Sequence, residues 1–248
     1  MRRQVRIVAD EGAVAAEAAS LFAGLAREAA ARGRRFAAAL SGGSTPRRLY
    51  GLLGRAPWRE AVPWTAVHLF WGDERCVGPE DEESNYRAAW EGFISRVGVP
   101  PGNVHRIRGE LDPGEAARLY EAEIVRVLGG GEGGPGVPPL DLVLLGLGAD
   151  GHTLSLFPGS QALCERRRLV VENYVEGLGA WRVTMTPRLV NGAGRVVFLV
   201  TGSAKAGIVR EMLEGDGAGR LPAGLIAPLS GPPLWLLDRE AAGLLSSR

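Results

Sequence analysis

An α/β fold of three layers, with helices on both faces of a mainly parallel central sheet, is what this sequence predicts. Short apolar runs alternate along the chain with longer stretches of helical periodicity, which is the order of βα units. Several runs, Leu-Val-Leu-Leu at residues 142–145 above all, are unbroken by charge and suit strands covered on both faces. The runs end in glycine- and serine-rich loops that open into helices, so ligand-binding residues should collect at the carboxyl edge of the sheet.

Residues 5–9 alternate apolar and polar side chains as a strand, and Asp10 is placed to cap an alanine-rich helix reaching about Arg32. Residues 35–40 form a second strand that stops at Ser41-Gly-Gly-Ser-Thr-Pro46, where Pro46 suits the first turn of a helix continuing through Leu49, Leu52 and Leu53. A third strand, residues 65–71, ends at Gly72-Asp-Glu-Arg75, and a helix follows over 84–94. A further helix over 113–128 precedes the strand 142–145. Residues 182–186 and 195–200 read as strands, 204–213 as a helix and 234–237 as a last strand, all placed by the same alternation in a parallel sheet. The glycine- and proline-rich residues 129–139 cannot pack a core and read as a flexible loop inside one domain covering residues 1–248.

With 248 residues and 46% hydrophobic content, one domain can bury roughly 70% of its unfolded surface without staples. Cys76 and Cys164 are not in CxxC spacing, no secretory apolar segment precedes Glu11, and no apolar run approaches ~18 residues. A soluble cytoplasmic protein without membrane association is expected. A formal charge of +1, with acids and bases interspersed, disfavours nucleic acid as a partner but is compatible with a local cationic pocket.

The chemistry concentrates in the loops. After strand 142–145, Gly146, Gly148 and Gly151 let the backbone turn sharply beside Asp150 and His152. Ser41, Gly42, Gly43, Ser44 and Thr45 offer backbone N–H groups, hydroxyls and a helix N-terminus, a cradle for phosphate. The cradle lacks the Lys-Ser/Thr pair of a Walker loop and is not GxGxxG, so no nucleotide is implied. Arg182 and Lys205 stand at element ends from which both would reach the same anion, and Asp73, Glu74 and Arg75 follow a strand in a similar way. Gly-x-Ser-x-Gly is absent, and His68, His105 and His152 lie far apart without a metal-binding spacing. His68, inside an apolar strand, reads as a satisfied core or interface residue. His152, beside an acid and over a phosphate cradle, suits proton transfer on a small phosphorylated molecule.

Taken in order, Leu40-Ser-Gly-Gly-Ser-Thr-Pro, Trp71-Gly-Asp-Glu-Arg, Gly146-Leu-Gly-Ala-Asp-Gly-His-Thr-Leu-Ser-Leu-Phe-Pro, Arg182-Val-Thr-Met-Thr, Thr201-Gly-Ser-Ala-Lys and the closing Trp235-Leu-Leu-Asp resemble the 6-phosphogluconolactonase family over nearly the whole chain. The resemblance implies a modified Rossmann-like fold shared with the related glucosamine-6-phosphate deaminases. Those deaminases carry a glutamate where this chain has Phe157, and usually an aromatic residue where it has Arg75. Gly-Ser-Ala-Lys205, which lacks the more usual acid in the gap, and the long segment 129–139 are small departures from the lactonase pattern.

The implied activity is hydrolysis of 6-phospho-D-glucono-1,5-lactone to 6-phosphogluconate in the oxidative pentose phosphate pathway, with no cofactor and no metal. His152 would activate water, Asp150 would orient the loop or the imidazole, and Arg75 would stabilise the oxyanion or grip the sugar acid. Asp73 completes the catalytic set. Ser41, Gly42, Gly43, Ser44, Thr45, Arg182 and Lys205 would hold the phosphorylated substrate. Functional coupling to glucose-6-phosphate dehydrogenase, whose product is the lactone, is a further expectation. The rivals are a deaminase of glucosamine 6-phosphate, which would release ammonia, and a non-enzymatic sugar-phosphate sensor, which would bind without turnover.

Overall fold

Asp10 starts the first helix as its position implies: its backbone is extended and its carboxylate accepts from the Ala13 N–H at 2.8 Å. The computed structural model describes residues 4–130 and 136–246. Residues 131–135 of the glycine-rich segment therefore lie outside the described residues.

In chain order the first elements are β1 (Gln4–Val8), α1 (Glu11–Ala31), β2 (Phe36–Leu40), α2 (Ser44–Leu53), α3 (Trp58–Ala61), β3 (Val67–Trp71) and β4 (Asp73–Arg75). Then come α4 (Asn85–Gly92), α5 (Pro113–Leu128), β5 (Leu142–Leu145), β6 (Val170–Val175) and β7 (Ala180–Met185). The chain closes with α6 (Pro187–Asn191), β8 (Val196–Val200), α7 (Ala206–Leu213), α8 (Gly217–Arg220) and β9 (Leu234–Asp238).

Six strands form a wholly parallel sheet in the order β1-β9-β8-β5-β2-β3. Its central strands β2, β5 and β8 are buried at every position, as their charge-free sequences require. On β1 the burial is slight, in keeping with its edge position and its alternating sequence. The strand order reverses between β2 and β5: β3 follows on one side of β2, while β5, β8 and β9 extend on the other. Loops leaving the carboxyl ends of β2 and β5 therefore part from each other and open a crevice.

The strand at 182–186 does not join this sheet. β7 is instead the middle strand of a second, antiparallel sheet in the order β4-β7-β6. Alternation alone had placed it among the parallel strands, and it gave no sign of β6. The partners lie far apart in sequence, with Asp73 opposite Thr184 and Val170 opposite Met185. Gly72 joins the sheets: its N–H donates to Leu40 O at 2.8 Å and its carbonyl accepts from Met185 N at 2.8 Å. A Cβ at Gly72 would lie 2.5 Å from Leu154 Cδ2.

Helix α5 braces the two sheets from outside the crevice. Tyr120 Oη accepts from Trp71 N and donates to Trp71 O, and Glu121 Oε2 accepts from Leu169 N and Val170 N. Glu123 Oε1 accepts at 2.8 Å from Nδ1 of buried His105, whose Nε2 lies 3.1 Å from His68 Nδ1. The two histidines that lay apart in sequence thus form a relay ending on a carboxylate, and His68 is half-buried and partnered.

Burial holds both imidazoles below their ordinary range, with charge from His105 and Arg35 adding to the effect on His68, while Glu123 opposes it at His105. The unfolded chain therefore takes up protons that the folded chain refuses, and stability falls as pH drops through the ordinary histidine range toward the depressed folded values. We expect the stability advantage of the wild type over His68→Gln, measured by thermal unfolding, to shrink between about pH 7.5 and 5.5. A constant difference would show that His68 is not the titrating group.

Candidate active site

The crevice holds a cavity of about 260 Å³ at the carboxyl ends of β2, β3, β5 and β8. Ser41, Gly42, Gly43, Ser44 and Thr45 line one side, and Asp73, Arg75, His152 and Lys205 reach it from the other loops. Nine of the eleven residues singled out from sequence are brought together here. Asp150 and Arg182 do not line this cavity. Asp150 holds His152 from behind, whereas Arg182 turns its Nη1 onto its own neighbour, Trp181 O, at 2.9 Å. Arg182 nevertheless pairs in register with Arg75, which puts both side chains on one face of the small sheet.

The glycine loop after β5 closes on itself. Gly148 N donates to His152 O at 2.8 Å, Gly151 N donates to Gly148 O at 3.1 Å, and Thr153 Oγ1 donates to Gly146 O at 2.9 Å. Within it, Asp150 Oδ1 accepts from the His152 backbone N–H at 3.1 Å and from the ring Nδ1 at 2.6 Å. This fixes the tautomer with hydrogen on Nδ1 and leaves Nε2 as the basic nitrogen of a ring that lines the cavity. Burial raises the Asp150 carboxyl, but the His152 backbone N–H, ring and charge outweigh it and hold the group below the usual carboxylate range. Phe157 stacks on the imidazole with centroids 4.2 Å apart and rings inclined by 29°. The ring is thus fixed by a carboxylate at one edge and an aromatic face.

Asp73 is buried, and its burial raises its carboxyl, opposed by the Ser155 hydroxyl and by the charges of Arg75, His152 and Arg182. Ser155 Oγ donates to Asp73 Oδ2 at 2.7 Å, and Asn85 Nδ2 donates to Asp73 O at 3.0 Å. Asn85 also presses against the phosphate-cradle loop, for a Cβ at Gly42 would meet Asn85 Cγ at 2.7 Å. Glu74 takes no part in the cavity. Its two oxygens accept from Arg75 N, Asn85 N, Tyr86 N and Ser84 Oγ, so it serves as an anionic cap for α4. Arg75 is steered by its Nη1, which donates to Glu83 O.

Other positioning residues escaped the sequence reading. Tyr50 Oη donates to Ser41 O at 2.6 Å, and its burial pushes the phenol well above its ordinary range, so it remains a donor. Asp238 at the end of β9 accepts Gly202 N on both oxygens and Ala241 N on one, which fixes the loop carrying Lys205. Thr45 Oγ1 and Thr201 Oγ1 share a hydrogen bond of 2.8 Å across the crevice. One polar atom of the cavity lining is left over: Ser41 Oγ is buried without a hydrogen-bond partner among the described residues. Among the described residues no group of three or more His, Cys, Asp or Glu side chains is placed to hold a metal ion. No helix among them is long and apolar enough to cross a membrane.

The family model described as glucosamine-6-phosphate isomerases/6-phosphogluconolactonase matches residues 9–235. The chain belongs to this family. A 6-phosphogluconolactonase of Aggregatibacter actinomycetemcomitans is 38% identical over 208 residues, covering 83% of this chain and 86% of that protein. The solved 6-phosphogluconolactonase from Trypanosoma cruzi superposes with a TM-score of 0.86 at 28% identity, over 99% of this chain and 97% of that one. A solved monomeric glucosamine-6-phosphate deaminase also superposes, with a TM-score of 0.79 at 25% identity over 97% and 99% of the two chains. The lactonase and deaminase structures thus share the overall fold of this chain.

Gly148 is the residue on which the His152–Asp150 pair depends, because a Cβ there would overlap His152 Nδ1 and lie 2.6 Å from Asp150 Oδ1. We expect Gly148→Ala to cost about 1–3 kcal/mol of stability and to abolish the downfield proton resonance of the hydrogen-bonded His152 Nδ1. Persistence of that resonance in the folded variant would show that the pair tolerates the added methyl group.

Proposed function

We propose that this chain hydrolyses 6-phospho-D-glucono-1,5-lactone to 6-phosphogluconate, with His152 as general base. The observation that carries the reading is the tautomer lock: Asp150 takes Nδ1 at 2.6 Å and leaves Nε2 free in a cavity whose other wall is the glycine loop at Ser41–Thr45. The activity of the lactonase relatives supports the choice of substrate.

A phosphate seated on the cradle meets backbone N–H groups, the hydroxyls of Ser44 and Thr45, and the Lys205 ammonium. It would also satisfy the orphaned Ser41 Oγ. With the phosphate anchored there, the lactone ring extends toward His152. Nε2 removes a proton from water as the oxygen attacks the C1 carbonyl, and Asp150 stabilises the imidazolium that forms. Arg75 donates to the developing oxyanion, where a fixed cation acts without reorganisation. The C1 to ring-oxygen bond then breaks, and the imidazolium returns its proton to the departing ring oxygen. The residues described supply each proton and charge in this sequence, and the proposal uses no cofactor.

Phe157 favours this reading over deamination. It occupies the face of His152 with an apolar ring, at the position from which the deaminases' glutamate assists ring opening. Arg182 enters the proposal only as a second cation, available if its side chain leaves the Trp181 carbonyl for the substrate. Functional coupling to glucose-6-phosphate dehydrogenase follows from the proposed substrate, which is that enzyme's product.

The test is a coupled assay in which the lactone is generated in situ from glucose 6-phosphate and the acid is followed through a second dehydrogenase. Acceleration over the spontaneous rate is expected, and its absence with folded protein would sink the reading. His152→Ala should lower kcat by about 10²–10⁴ with little change in KM. Lys205→Ala should mainly raise KM, by about tenfold or more for a lost charge-assisted bond. An unchanged KM would place the phosphate elsewhere.

A further inference from the structure

Behind the catalytic pair lies a second groove of about 770 Å³, between the free edge of β6 and the loop that follows His152. Two residues belong to both places. Asp150 holds the His152 ring and Phe157 stacks on it, and each also lines the groove. Tyr174 and Trp181, a cross-strand pair with centroids 5.3 Å apart, left 46% and 44% exposed, line the groove as well. Glu172 and Glu176 add carboxylates. Arg168 answers Glu172 at 3.0 Å, whereas no cation among the described residues pairs with Glu176. Ser160 Oγ, buried in the same lining, has no hydrogen-bond partner among the described residues.

Among the described residues the lining contains no lysine, arginine or histidine, so it is the electrostatic opposite of the substrate cavity and repels a phosphate ester. Exposed aromatic faces beside an unanswered carboxylate attract a positive charge, and the orphaned hydroxyl oxygen can accept from its N–H. The volume falls within the range of small-ligand sites. We propose that this groove binds a small organic cation, an ammonium or guanidinium on an apolar stem, and that its occupation slows catalysis by drawing Asp150 away from His152. The coupling is local, since Asp150 Oδ1 makes both hydrogen bonds to His152 while the same residue lines the groove. A cation bound there competes for the charge that stabilises the imidazolium.

The binding half of this proposal stands apart from the hydrolytic reading, and the rate half rests on it. Calorimetric titration of the intact protein with agmatine should give saturable binding to one site, with an affinity of roughly millimolar. Glu176→Gln and Trp181→Ala should each weaken it by about tenfold, while 1,4-butanediol and glucose should give no saturable heat. In the lactone assay, agmatine should lower kcat at unchanged KM, and Glu176→Gln should relieve the effect.

Absence of saturable binding, or equal binding by both variants, overturns the site. Glucose binding as tightly as agmatine overturns the cation and gives the groove to neutral sugars. A rise in KM alone places the cation in the substrate cavity, and binding without any change in rate overturns the coupling to Asp150. A protein that binds agmatine as expected but hydrolyses no lactone would refute the proposed function and leave the site standing.

Discussion

Everything in the crevice hangs on Gly72 being hydrogen-bonded into two sheets at once. Its N–H completes the parallel ladder through Leu40, and its carbonyl receives Met185 from the antiparallel sheet. Because these bonds are made by one residue, Asp73 and Arg75 leave the main sheet at a fixed angle and stand over the loops from β2 and β5. The space at Gly72 is taken by Leu154, which itself adopts a left-handed conformation (φ 54°) uncommon for a side-chain-bearing residue. The loop carrying His152 and the loop carrying Asp73 are thus packed through a glycine that has no room for a methyl group, and Ser155 adds a buried hydrogen bond between the same two segments.

Charge in the crevice is arranged by depth. The cations Arg75 and Lys205 are partly exposed at its rim, while Asp73 lies buried beneath them and Asp150 sits behind the imidazole. An anionic ligand entering along the cations therefore meets the carboxylates only through groups they orient. Glu74, next to Asp73 in sequence, is spent on the N-terminus of α4. Two adjacent acids that read alike in sequence thus do different work, and the side of β4 each emerges from decides which.

Much of the main sheet was legible because its signals are local. Pro113 opens α5, and the run Leu142–Leu145 is bounded by turn residues, so both elements fall where the sequence pattern puts them. The small sheet was not legible, since β4 has only three residues and β6 and β7 find their ladders through partners distant in sequence. The site divides in the same way. Residues on glycine loops announced themselves by composition, whereas Tyr50, Asn85, Ser155 and Asp238 act across elements. Tyr50, Asn85 and Asp238 look like ordinary helix or strand residues, and Ser155 like an ordinary turn residue, until the fold brings them near. Ser84, which caps α4, was a local hint near the second of these.

The anchoring of α5 has a consequence for how this chain tolerates change. Tyr120, Glu121 and Glu123 fasten the helix upstream of its C-terminus, and Asp141 reties the chain by exchanging hydrogen bonds with Ala37, N to O and Oδ2 to N. Between these two fixed points, none of the described residues 129, 130 and 136–139 lines the crevice. Doubling the length of such a connection costs only about 0.6 kcal/mol in closure entropy. Insertions beside these described residues leave the crevice lining untouched, which makes this connection the natural position for a reporter or an affinity tag carried within the chain.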